Sequence, residues 1–128
     1  MRRSGILHAE LNRQLSLLGH TDTVVLGDAG LPIPRHVPVV DLAVVLGLPR
    51  LRPVLDALLE TVVVEGAVLA DEARGGPAEQ LLLPGLPEAV EWVSHAELKT
   101  RCADAAFAIR TGETTPYANV ILRSGVPF

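Results

Sequence analysis

Leucines at helical spacing and short β-branched runs take turns along this chain, and proline or glycine marks nearly every changeover. That alternation predicts an α/β fold: one compact domain with a mostly parallel central sheet flanked by helices. Leu7, Leu11, Leu15 and Leu18 predict a helix over 8–18, closed by Gly19. Residues 22–28 (DTVVLGD) read as a strand, apolar in the middle and polar at both ends. Ala29 to Pro34 must be a loop, because Pro32 and Pro34 forbid a helix and push their predecessors to extended geometry. Residues 37–46 are β-rich, Leu48-Pro49 interrupts them, and 51–61 read as a helix with Leu51, Leu55, Leu58 and Leu59 on one face. Residues 62–70 read as a buried strand into which Glu65 intrudes. Between Gly75-Gly76-Pro77 and Pro84-Gly85-Leu86-Pro87 there is room for at most a short helix. A short strand is expected over 90–93. Ser94 and Glu97 form a capping-box pattern for a helix over 95–103. Residues 106–111 and 117–123 read as strands joined by a loop.

A chain of 128 residues has room for a single domain, taken here as 1–128. With 48% hydrophobic and 20% charged residues it is neither disordered nor of low complexity. Net charge −4 supplies no basic face for nucleic acid, and four aromatics make no stacking platform for single strands. No apolar run approaches the ~18–20 residues of a membrane span. His8, Glu10, Asn12 and Arg13 interrupt what would be the apolar core of a signal peptide. The lone Cys102 cannot form an intrachain disulfide, which fits a cytoplasmic protein. Mean hydropathy of +0.34 is high for so small an interior, and predicts apolar surface buried between copies in a homo-oligomer.

Three clusters carry chemistry. Asp28 ends the first predicted strand, and ligands in open α/β sheets bind outside the carboxyl ends of strands. The same position suits a turn carboxylate bonded to its own loop. Among four histidines, none pairs at i, i+2 or i, i+4, so a metal site is not expected. A single imidazole is suited to acid–base work without a metal. His20 is also placed to bond the orphan carbonyls of a helix end, and His95 to lie on the surface in a first turn. Alternation along the last strand would put Tyr117 and Asn119 on one face, with Ala118 on the other. A phenol beside a carboxamide suits polyol hydroxyls. Dinucleotide-binding glycine motifs, a P-loop, a nucleophile elbow and a glycosidase carboxylate pair are all missing.

Leu18-Gly-His-Thr-Asp-Thr with Asp28-Ala-Gly-Leu-Pro-Ile-Pro34, Val93-Ser-His-Ala-Glu-Leu-Lys99, and Ile109-Arg-Thr-Gly-Glu-Thr-Thr-Pro-Tyr-Ala-Asn119 resemble, in order and nearly end to end, the ribose pyranase and fucose mutarotase family. Residues 72–90 depart from the pattern, being shorter and richer in proline and glycine. The resemblance implies an isomerase that interconverts the pyranose and furanose rings of D-ribose and feeds ribose to a downstream kinase. It implies His20 as proton donor, with Asp28, His95, Tyr117 and Asn119 on the sugar hydroxyls and Ala118 contributing backbone. It further implies no cofactor and no metal, rings of subunits (pentamers stacked into decamers), and sites near subunit boundaries. The alternatives are a sugar-binding protein without catalysis, or a mutarotase for another sugar such as L-fucose. The latter branch matches less well around Asp28-Ala-Gly-Leu-Pro32.

Overall fold

In the computed structural model, which describes residues 1–128, strand β1 (Thr23–Gly27) lies inside a six-stranded sheet. The other strands are β2 (Val39–Asp41), β3 (Val64–Ala70), β4 (Val90–Val93), β5 (Phe107–Arg110) and β6 (Val120–Ser124), in the spatial order β2-β5-β1-β6-β3-β4. β1 pairs parallel with β5 and antiparallel with β6, and β3 is likewise antiparallel to β6 and parallel to β4. Five strands therefore share one direction and β6 alone runs against them. The carboxyl ends of those five and the start of β6 form one edge of the sheet. Their starts and the end of β6 form the other.

Burial alternates with the pleat, so the sheet has two apolar faces. Val24 and Leu26 of β1 face α1 (Ala9–Ser16), α2 (Leu51–Thr61) and α3 (Pro77–Leu82), packing with Leu11, Leu15, Leu55, Leu58 and Leu82. Val25 faces the opposite side, with Leu98 of α4 (His95–Arg101), Cys102 and Ile121. Burying a leucine of this kind is worth about 1.5–3 kcal/mol, so the leucine stripe of α2 is a principal anchor. No helix is long and apolar enough to cross a membrane.

The helix over 51–61 and the strand over 90–93 form as predicted. Three expectations need correction. Of residues 37–46, only Val39–Asp41 form a strand. Beyond them Val45 and Leu48 pair in a tight turn around Gly47, whose φ of 86° suits glycine. The helix over 95–103 gives way to a 3₁₀ turn at Cys102–Asp104. The last strand starts at Val120, not at 117. Pro116 sits in a turn closed by Ala118 N–H donating to Thr115 O (3.2 Å), and Tyr117 takes a left-handed φ of 63°.

Candidate functional site

The carboxyl edge of the sheet gathers four of the residues singled out from the sequence. Asp28 directly follows β1 and Asn119 directly precedes β6, so strand pairing brings them side by side. They bind reciprocally: Asp28 N–H donates to Asn119 Oδ1 (2.9 Å), and Asn119 Nδ2 donates to Asp28 Oδ2 (3.0 Å). The other carboxylate oxygen of Asp28 accepts from Gly30 N–H at 2.9 Å. Asp28 is therefore both a turn residue and an oriented, half-buried carboxylate at the strand end. Asn119 is buried, and Gly27 has no side chain because a Cβ there would lie 2.8 Å from Leu31 and 3.2 Å from Asn119 Oδ1.

His95 and Tyr117 stand together on the same edge. Their rings meet edge to face with centroids 5.2 Å apart. His95 opens α4, where Ser94 Oγ accepts from Glu97 N–H (3.1 Å) and Glu72 Oε2 accepts the backbone N–H of His95 itself (2.8 Å). Only half of the expected capping box forms, because Glu97 turns to Arg101. His95 Nδ1 is buried and has no hydrogen-bond partner within the chain. A buried polar atom of this kind is costly unless a ligand or water satisfies it. Ala118 is fully buried, its N–H committed to the Thr115 turn.

Glu113 holds this edge together, and its role is not evident from the sequence. Its carboxylate is buried and accepts from Leu51 N–H (3.0 Å), Arg50 Nη1 (3.0 Å), Thr114 N–H (3.1 Å), Thr115 N–H (3.2 Å) and Thr115 Oγ1 (3.0 Å). It thus caps α2, whose preceding residue Arg50 offers no side-chain cap, and fixes the turn that carries Tyr117. Burial pushes the Glu113 carboxyl up. The donors from Leu51, Thr115 and Arg50 outweigh burial and hold it at about 2. Its backbone carbonyl takes the N–H of Ala29 (2.9 Å), tying the turn to the Asp28 loop. Only a carboxylate followed by two threonines hinted at such a self-capping turn.

His20 is not part of this cluster. It precedes β1, at the amino edge, and the five residues of β1 separate the two edges by about 17 Å. Its Nε2 lies 3.0 Å from Glu65 Oε2, and the ring is half exposed. His8 and His36 are structural. His8 Nδ1 caps α1 by accepting Leu11 N–H (3.1 Å), and His36 Nε2 donates to Ala103 O (2.7 Å). Cys102 is buried, and burial pushes its thiol up to about 11, so it is no nucleophile.

The chain shares 53% of its residues with a D-ribose pyranase of Cutibacterium acnes, over the full length of both. Its fold matches that of Bacillus subtilis RbsD complexed with D-ribose at a TM-score of 0.88, with 40% identity and complete coverage of both chains. A fucose mutarotase from Streptococcus pneumoniae, in complex with L-fucose, shares the fold at a TM-score of 0.78 and 21% identity, over 95% of each chain. The profile of the RbsD / FucU transport protein family matches residues 1–127, and a likeness that runs end to end in both sequence and fold places this chain in the RbsD / FucU family.

Proposed function

We propose that this protein is an isomerase that interconverts the pyranose and furanose rings of D-ribose. The full-length identity with a D-ribose pyranase carries that reading. The carboxyl edge supports it, because it gathers what a polyol needs: the Asp28 carboxylate, oriented by the Asn119 carboxamide, the Tyr117 hydroxyl and an unpartnered nitrogen on His95. The likeness to the fucose enzyme extends to the fold alone.

Ring opening requires only proton traffic. His20, protonated, donates to the ring oxygen as the C1–O bond breaks. The protonated aldehyde then returns the proton of its anomeric oxygen to the imidazole. Reclosure through a different hydroxyl repeats the exchange in reverse, with no net gain or loss of protons. Such help is typically worth ~10²–10⁴-fold. No redox change occurs, so the chemistry calls for no cofactor. The furanose product suits consumption by a sugar kinase. The cytoplasm is the matching compartment, where the single buried thiol stays reduced.

His20 and Asp28 serve one sugar only when two copies meet. The amino edge of one subunit must face the carboxyl edge of the next. Such a head-to-tail contact closes into a ring when its rotation allows. The turn over 44–48 supports this arrangement. Val44, Val45, Leu46 and Leu48 are exposed there, on a loop whose Pro49 O accepts Gly112 N–H (2.8 Å) beside the Glu113 turn. A pentamer, stacked into a decamer, is the ring we expect. The test is NMR exchange on the anomeric signals of D-ribose. Wild type should accelerate pyranose–furanose exchange and His20→Ala should not, while retaining much of the affinity for ribose. Binding without acceleration by wild type would make this a sugar-binding protein instead.

A further inference from the structure

We infer that Glu65 is a positioning residue for His20, fixing its tautomer so that Nδ1 is the nitrogen that exchanges protons with the sugar. The inference rests on the reading of His20 as proton donor. Glu65 is the charge that intrudes into an otherwise apolar strand, and the structure gives that intrusion a purpose.

Several independent features converge on this pair. The register of β3 against β6 shifts between Val64, opposite Ser124, and Gly66, opposite Arg123, so Glu65 is the extra residue of a bulge. Bulges re-aim a side chain and are frequent beside active sites. The re-aimed carboxylate splits its two oxygens. Oε2 faces His20 Nε2 at 3.0 Å, and Oε1 accepts from Arg123 Nε at 3.0 Å. Gly66 leaves the space in which the Arg123 guanidinium lies, since a Cβ there would fall 3.0 Å from Nη2. The histidine is held from its own side as well. Thr21 has a φ of 71°, uncommon for a β-branched residue, and its N–H donates to Ser124 O (2.9 Å). Asp22 Oδ2 accepts Gly19 N–H at 2.7 Å and closes the turn that carries His20.

The chemistry follows from the donor inventory. An ionised carboxylate can only accept, so His20 Nε2 must carry the hydrogen. Neutral His20 is then the Nε2–H tautomer, with its lone pair on Nδ1. When Nδ1 takes a proton, the adjacent carboxylate stabilises the imidazolium, and Arg123 keeps that carboxylate in place. Arg123 also lines a groove of about 540 Å³ and is half exposed, so burial does not fix it.

Two measurements test this. In ribose exchange assays, Glu65→Gln should lower kcat roughly 10- to 100-fold, a share of the acid–base contribution, with KM changed less than about twofold. In a His20→Ala background the same substitution should have no further effect, because Glu65 acts only through the imidazole. A Glu65→Gln variant with wild-type kcat, or one equally damaging in the His20→Ala background, would overturn the inference. The second readout is independent of turnover. Ring ¹⁵N shifts of His20, at a pH that leaves the imidazole neutral, should show Nε2 protonated in wild type and a mixture of tautomers in Glu65→Ala. Identical shifts in the two proteins, or an Nδ1–H ring in wild type, would contradict it. Were wild type unable to exchange ribose rings, the isomerase reading would fall and the nitrogen shifts would still decide the role of Glu65.

Discussion

His20 lies before the start of β1 and Asp28 directly after its end, so the strand's length of about 17 Å runs between them. A strand is a stiff spacer, and no side-chain rotation closes that gap. In the isolated chain His20 turns to Glu65 at one edge and Asp28 to Asn119 at the other. The roles proposed for these residues, proton transfer and hydroxyl recognition, therefore fall on opposite edges of the sheet. On the proposed roles, assembly would build the active site as well as cover apolar surface.

Glu113 should make stability depend on pH in a defined direction. Its carboxyl is held at about 2, below the ordinary 4.5, so the folded chain binds fewer protons than the unfolded chain. The stabilisation is complete above the ordinary value and is lost as pH falls from there through 2. Glu113→Gln sets an amide nitrogen against donors and should cost on the order of 3 kcal/mol at pH 7. Denaturant melts of both proteins at neutral pH and at pH 3 should show that gap shrinking on acidification. A gap of constant size would mean that charge is not what Glu113 supplies.

Asn119→Asp should have the opposite pH signature. The substitution places a second carboxylate oxygen where the amide now lies, 3.0 Å from Asp28 Oδ2. Two charges at that distance cannot both persist cheaply, so the folded pair retains a proton that the unfolded chain releases. The variant should lose about 1–3 kcal/mol at neutral pH and recover as pH falls, with ribose affinity following the same course. Thermal melts and ribose titrations between neutral pH and pH 5 check this. Unchanged affinity at neutral pH would show that the Asp28–Asn119 pair does not hold the sugar.

Much of this arrangement was legible in the sequence because it is local. The leucine stripe of α2, the short strand ending in Val93 and the strand from Thr23 to Gly27 each carry their own periodicity, and each forms close to where that periodicity puts it. The start of the last strand is not legible locally, because the buried Asn119 side chain bonds to Asp28, ninety-one residues away, and no local pattern records such a bond. The role of Glu113 is hidden for the same reason, since its partners are Arg50, just before α2, and Leu51, which opens it. Glu65 was visible as an anomaly, but its meaning depends on a register shift that only the folded sheet contains. It is the family resemblance that groups His20 with Asp28 in one site. The sheet places them on different edges.

The most direct test of the shared site is complementation between two inactive variants. His20→Ala removes the proposed proton donor from the amino edge, and Asp28→Asn weakens the proposed sugar cluster on the carboxyl edge. Each should be strongly impaired when expressed alone. When the two are co-expressed in equal amounts and assemble at random, about a quarter of the sites in a head-to-tail ring receive an intact His20 from one copy and an intact Asp28 from the next. NMR exchange on D-ribose should then recover to about a quarter of the wild-type rate per site. Mixed assemblies no more active than the separate variants would contradict the account, because they would mean that both residues act from a single chain.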